Sequence, residues 1–296
     1  MTGAERGFLL LCCHLGNPER RPLSPAQLRK LARRIRDAEA PPVDRELEVR
    51  DLRALGYGEA DARRIMSLLS EEALLDRYLS RAAKFGCVPL TRLTPGYPRR
   101  ILDALGDDAP GCIWARGDLS LLQRPGVALV GSRNLRPQNQ AFARQTGAQS
   151  ARQGLTLISG NARGADRTAQ NAALAAGGGV ISIVADRLTD HVPMGKVLYL
   201  SEEGFDLEFS SLRALSRNRC IHAMGQLTFV AQADLGKGGT WDGTVKNLRH
   251  GWSNVAVFRD GSDTARELEQ LGAYLIGTEE IKDCAGFTGN QLKLWD

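Results

Sequence analysis

The sequence predicts an α/β fold: a mostly parallel sheet with helices on both faces, preceded by a small helical region. Three observations carry this. Short, unbroken apolar runs recur through the second half of the chain. Helical stretches of about 10 to 16 residues separate them, and several runs end in Gly, Ser or charged residues. A strand buried on both faces has no solvent side, so it reads as a continuous apolar segment rather than an alternating one.

The chain has 296 residues, 43% hydrophobic and 25% charged. That length holds one large domain or two ordinary ones, and the composition excludes a disordered tail, a fibrous repeat and a membrane protein. The balance of 39 Lys+Arg against 34 Asp+Glu gives a net charge of +5. It permits an acidic partner without identifying one. Only seven of the 39 basic residues are lysines. Arginine forks suit phosphate oxygens, though a coding bias gives the same composition. The six cysteines form no C-x-x-C pair, so neither a disulfide framework nor a zinc site has spacing support. Phe8–Cys13 is too short for a secretory core, and no run reaches the roughly 18 apolar residues of a membrane span. A reduced cytoplasm is the expected compartment.

Residues 1–85 read as a helical N-terminal domain. Ser24-Pro25 is a start signal, since Ser caps and Pro at the first helical position gives up an N–H that had no partner. Leu28, Leu31, Ile35 and Ala38 then share one face, and Pro41-Pro42 ends the helix. The turn Leu55-Gly56-Tyr57-Gly58, followed by Ala62, Ile65 and Leu69, is similar to a SAM-type or helix-hairpin-helix module, and an ordinary helical turn explains the same residues. Residues 86–125, dense in Pro and Gly, read as a connector, marking either a boundary or a short irregular strand region. The α/β domain spans 126–282, with strands predicted at Val127–Val130, Leu155–Ile158, Val180–Val184, Lys196–Leu200, Leu227–Val230, Val255–Phe258 and Tyr274–Ile276. Helices are predicted at Gln138–Arg152, Ala165–Ala176 and Thr240–Arg249, and 283–296 is a C-terminal tail.

The chemistry concentrates where strands end. Gly131-Ser132-Arg133-Asn134 follows the first run, and Ser159-Gly160-Asn161-Ala162-Arg163-Gly164-Ala165-Asp166 follows the second and opens a helix. Glycines allow close backbone approach, helix-start N–H groups favour an anion, and Arg133 and Arg163 add charge-assisted bonds to phosphate. Asp166 is expected to cap the helix or orient Arg163. Gly236-Lys237-Gly238-Gly239-Thr240 reads as another anion-contacting turn, with Thr240 able to cap the next helix, but it lacks the P-loop spacing, and no G-x-G-x-x-G follows a strand. Arg217-Asn218-Arg219 near a helix start is placed to grip backbone phosphates. No Ser-His-Asp, paired-carboxylate or metal constellation is found, so no catalytic residue, metal or cofactor is assigned. Glu202 and Glu203 have no visible partner in the sequence, and His222 reads as an ordinary, partly buried histidine.

In order along the chain, these residues resemble the DNA-processing protein A family (DprA, also called Smf). The resemblance rests on Tyr97-Pro98, Trp114–Leu119, Val127–Arg133, Ser159–Asp166, Leu200-Ser201-Glu202, Arg217–Ile221 and Gly272-Ala273. It implies a Rossmann-like domain that binds single-stranded DNA without strong sequence preference and is not an enzyme. It further implies strand protection, loading of the RecA recombinase in natural transformation (competence), and homodimerisation. The family's phosphate pocket maps onto Gly131, Ser132, Arg133, Ser159, Gly160, Arg163, Gly164, Asn218 and Arg219; Arg217, Lys237 and Gly238 are added on the reading of the residues. Asn161, Gln170, Leu215-Ser216 and Gly236–Trp241 depart from the family pattern, which marks a divergent member. Trp241 or Phe209 is available to stack a base. The tail Gln291–Trp295 resembles a peptide that docks on the bacterial sliding clamp. A nucleotide-binding or nucleotide-sensing module is the alternative reading, and a scaffold acting through the helical region and the tail is a third.

Overall fold

The computed structural model describes residues 1–38 and 47–284; Pro41-Pro42 and the clamp-like tail lie outside them. Five helices open the chain: α1 (Gly3–Cys12), α2 (Pro25–Asp37), α3 (Val49–Ala54), α4 (Glu59–Leu69) and α5 (Glu72–Lys84). α2 begins as predicted, with Ser24 accepting a bond from the Gln27 N–H and Pro25 in the first turn. Leu28 and Leu31 are buried, but Ile35 is exposed. The outer part of α2 is held instead by ion pairs from Arg29 to Asp108 and Arg36 to Asp107. Arg20 organises the bundle from inside, its guanidinium donating to the carbonyls of Leu10, Cys13 and Leu68 and pairing with Glu71.

The segment 86–125 is more than a connector. β1 (Val88–Thr91) and β2 (Cys112–Gly117) pair antiparallel around α6 (Arg99–Leu105), and β2 pairs with a later strand. The apolar part of β2 is only Cys112–Ala115, and flanking turn residues mask it in the sequence. Trp114 from β2 packs edge-on against Tyr78 of α5 at 5.1 Å, and Phe205 lies 4.7 Å from Tyr78. The Tyr78 hydroxyl donates to Asp206 at 2.6 Å. This aromatic cluster joins the helices to the sheet. Cys13 and Cys112 meet at the same seam with their sulfurs 3.0 Å apart, both as free thiols.

The remaining strands are β3 (Gly126–Val130), β4 (Thr156–Ser159), β5 (Val180–Ile183), β6 (Val197–Glu202), β7 (Leu227–Val230), β8 (Asn254–Phe258) and β9 (Tyr274–Ile276). The sheet order is β1-β2-β6-β5-β4-β3-β7-β8-β9, with β3 to β9 mutually parallel. The chain winds outward from β3 to β6, then returns to place β7 on the other side of β3. That reversal opens a crevice at the carboxyl ends of β3 and β7.

Along β3, side chains alternate between two cores: Val127 and Leu129 face α7 (Pro137–Arg152) and α8 (Ala165–Ala175), while Ala128 and Val130 face the opposite layer. The opposite layer contains α6, α10 (Asn218–Met224), α11 (Gly238–His250) and α12 (Asp263–Gln270); α9 (Ser211–Ser216) leads into α10. α7 and α8 cross closely because Gly147 meets the backbone of Ala169, where a β-carbon would overlap the carbonyl. Gly147→Ala is therefore expected to lower stability by about 1–3 kcal/mol, the usual cost of overpacking. Urea denaturation measures it, and an unchanged midpoint would refute the close-crossing account.

Candidate phosphate-binding site

Two adjoining clefts occupy the carboxyl edge of the sheet. The first, about 470 Å³, lies at the β3/β7 crevice and is lined by Gly131–Asn134, Arg217, Asn218 and Lys237–Thr240. The second, about 370 Å³, continues over the end of β4 and is lined by Arg133, Gly160, Arg163 and Arg217. Phe209, which is 57% exposed, borders both.

The loop after β3 is fixed from two sides. The Ser132 N–H donates to the Gln232 carbonyl at 2.9 Å, and the Gln232 side chain bonds the Asn134 carbonyl and the Arg136 N–H. On the other side, the Ala165 N–H donates to the Ser132 carbonyl at 3.1 Å. This contact needs Gly164, whose φ is +88° and whose β-carbon would strike the Ser132 and Arg133 carbonyls.

Asp166 acts differently from the expectation that it orients Arg163. Its buried carboxylate accepts from the N–H groups of Gly160 and Ala162, each at 3.1 Å, and so shapes the loop after β4. Arg163 instead donates to the Asn134 side chain at 3.0 Å, linking the two loops. Burial pushes the Asp166 carboxyl up from its ordinary range, opposed by the nearby Arg217 charge and the two N–H donors. Arg217 donates to the Gly160 carbonyl at 3.1 Å and covers the face of Gly160, where a β-carbon would overlap its guanidinium. Burial also lowers the Arg217 pKa, and the Asp166 charge counters that shift.

Asn218 donates to the Gly239 carbonyl at 3.2 Å and ties the start of α10 to the 236–239 turn. α11 begins at Gly238 with Lys237, not Thr240, in the capping position. The Thr240 carbonyl accepts from Thr244 within the helix. Gly238, at φ +85°, lets the chain enter the helix directly from the turn, so two more helix-start residues face the cleft.

The predicted residues thus separate. Gly131, Ser132, Arg133, Asn218, Lys237 and Gly238 line the first cleft, and Gly160 and Arg163 line the second, with Arg133 and Arg217 common to both. Gly164 lies behind the loops as the contact point between them. Ser159 is buried, its hydroxyl accepting from Gln170 at 2.5 Å. Arg219 lines neither cleft; it pairs with Glu202 at 2.8 Å, which also accepts from the Cys220 thiol at 3.2 Å. Glu202 therefore has the partner that the sequence did not reveal. Arg133 and Lys237 are exposed and make no ion pair among the described residues. Gln232 was missed because its role comes from position beside β7, and a lone glutamine carries no sequence signal.

The sheet-bearing part of the chain, residues 89–283, matches the sequence profile of DNA recombination-mediator protein A. The chain belongs to that family. DNA processing protein DprA of Streptococcus pneumoniae (strain ATCC BAA-255 / R6) is 31% identical over 183 residues, 57% of this chain and 64% of the relative's length. The X-ray structure of DprA from Streptococcus pneumoniae matches 98% of this chain and 99% of its own, with a TM-score of 0.74 and 24% identity, which establishes a shared fold. DNA processing protein A from Helicobacter pylori, described for its unique single-stranded DNA binding mode, matches 66% of this chain and 92% of its own at 25% identity and a TM-score of 0.55. Among the described residues, no group of three or more His, Cys, Asp or Glu side chains could hold a metal ion, and no helix is long and apolar enough to cross a membrane.

His222 lies beneath the first cleft, fully buried beside Asn247, whose side-chain amide is 3.2 Å from Nδ1. Burial, aided by the Arg217 charge, pushes its pKa down from 6.5 to about 3. The unfolded chain takes up a proton at the ordinary value, and the folded chain does so only near the depressed one. The neutral imidazole's stabilisation is complete above the ordinary value and is lost as pH falls towards the depressed one, by about 1.4 kcal/mol per pH unit. His222→Gln is expected to flatten the fall in unfolding free energy between about pH 6 and 4. Urea titrations across that range measure it, and an unchanged slope would refute the assignment.

Proposed function

We propose that this protein binds single-stranded DNA through the paired clefts and acts, without catalysis, as a recombination mediator. The observation that carries the reading is one arrangement. Exposed Arg133 and Lys237 stand on opposite strand-end loops, flanking a crevice bordered by Gly-rich backbone and the start of α11. Phosphate oxygens match this chemistry: helix-start N–H groups and the helix dipole position the anion, and the two cations neutralise it. Arg163 and Arg217 extend the positive lining into the second cleft, so the next phosphate of a strand has a place to lie. Phe209 is the aromatic nearest to a stacking role, since it borders both clefts and is exposed, whereas Trp241 is partly buried against the core.

Family membership supports a role in protecting a single strand and in loading the RecA recombinase, as in natural transformation. A homodimer joined through the sheet-bearing domain and a cytoplasmic location belong to the same reading. The single-stranded DNA binding described for the Helicobacter pylori protein supports the choice of ligand. A crevice at a switch in strand order also suits a mononucleotide, which makes a nucleotide-sensing module the competing reading.

Two measurements test the proposal. The purified protein is expected to bind thymidine oligonucleotides with an affinity that falls as salt rises, by about 0.7 in logarithmic slope per phosphate contact. Arg133→Ala combined with Lys237→Ala should weaken binding and flatten that slope by about 1.4. Unchanged affinity and slope would sink the site assignment. Calorimetry that finds a tight mononucleotide complex and no oligonucleotide binding would favour the sensing module instead.

A further inference from the structure

A third cleft continues the groove beyond the arginines, and its chemistry is different. It measures about 340 Å³ and shares Asn161, Arg167 and His191 with the second cleft. It exists because the connection from β5 to β6 contains only a single short turn of 3₁₀ helix, at Leu188–Asp190. No crossover helix is present to cover the floor formed by Val180, Ser182, Val197 and Tyr199.

The second cleft is lined by four arginines and one carboxylate, Asp186. The third has one arginine, Arg167, and the His191 imidazole against one carboxylate, Asp190, and is otherwise lined by amides, hydroxyls and apolar groups. Asn161, Asn171 and Tyr199 supply hydrogen-bonding groups without net charge, above a floor where Gln170 and Ser182 are buried and bonded to each other. Such groups match the edge of a nucleobase, because an amide presents a donor and an acceptor side by side. The walls are ordered. His191 lies 4.8 Å from Tyr199 with rings tilted by 21°, bonds Asp186 at 2.7 Å, and approaches the Asn161 amide at 3.4 Å. Gln170 bridges the hydroxyls of Ser159 and Ser182 at 2.5 and 2.9 Å. Asn161 holds a left-handed backbone, φ +59°, which keeps its side chain at the junction of the second and third clefts.

We propose that the third cleft receives a nucleobase of the same single strand whose phosphates occupy the first two. This rests on the DNA-binding reading above and adds a site of different chemistry to it. The four strand spacings from β7 to β6 span about 19 Å, on the order of five nucleotides at the stacked rise, so a trinucleotide held at the first cleft falls short of the third. Base contacts there give the protein a mild base preference that phosphate contacts alone cannot produce.

The test compares a thymidine trinucleotide with dodecamers of thymidine, adenosine and cytidine. Tyr199→Phe keeps the ring against His191 and removes the hydroxyl, and Asn171→Ala removes an exposed amide; both residues line the third cleft and neither of the other two. The double variant is expected to bind the dodecamers about tenfold more weakly, to bind the trinucleotide as wild type does, and to lose any difference among the three bases. Asn171→Trp, which fills the cleft from the α8 side, should reproduce the selective loss in a protein that melts at the wild-type temperature. Wild-type dodecamer binding by both variants overturns the base cleft and leaves the phosphate site standing. A wild-type protein that binds none of the oligonucleotides overturns both.

Discussion

The cleft-bearing edge of the sheet depends on one close backbone contact. The Ala165 N–H reaches the Ser132 carbonyl only because residue 164 has no β-carbon and adopts φ +88°. That bond welds the loop after β3 to the start of α8. Every other feature of the site is referred to this weld. Asp166 follows it by one residue and gathers the N–H groups of Gly160 and Ala162. Arg217 then closes over Gly160, and Arg163 reaches back to Asn134. A side chain at 164 would separate the two loops and disperse the donors that the fold collects.

The switch in strand order explains why the weld lies where it does. β3 is the central one of the seven parallel strands, flanked by β4 and β7, so its carboxyl end borders both halves of the winding. The loops after β3, β4 and β7 are long in sequence separation but neighbours in space, and helices α8 and α11 both start beside them. Backbone N–H groups and helix dipoles therefore converge without a P-loop or a dinucleotide fingerprint. The exposed cations Arg133 and Lys237 add full charges to their partial ones.

The sheet was legible wherever a strand was buried on both faces. The apolar runs from Val127 to Ile276 match β3 to β9 within two residues at each end. β1 and β2 were legible only as an irregular strand region without bounds, because an antiparallel edge pair needs only short apolar stretches, and the turns around them dominate the local pattern. Within the site, the glycines and Arg133 declared themselves through their position after strands. Arg219 did not reveal its pairing, since Glu202 lies on a different element and is brought to it only by the packing of α10 against the sheet. The place of Asp166 in the sequence suggests a helix cap or a partner for Arg163, whereas its carboxylate accepts from the N–H groups inside the loop.

Arginine abundance has a structural explanation separate from ligand binding. Arg92 donates to the carbonyls of Asp107, Ala109 and Pro110; Arg116 to those of Leu188, Thr189 and His191; Arg213 to those of Ala185, Leu207 and Glu208. Each of these three fixes a segment with no strand ladder of its own, whereas Arg20 satisfies carbonyls at the ends of α1 and α4. A guanidinium carries five donors in a rigid plane and cannot shed its charge by titration at ordinary pH, so one side chain satisfies several loop carbonyls at once. A lysine ammonium offers three donors on a flexible stem and holds a loop less firmly. Net charge is consequently a poor guide to the ligand: much of the arginine content is already committed to backbone oxygens. What distinguishes Arg133, Arg163, Arg167 and Lys237 is that the fold exposes them beside the clefts and gives them no ion-pair partner among the described residues.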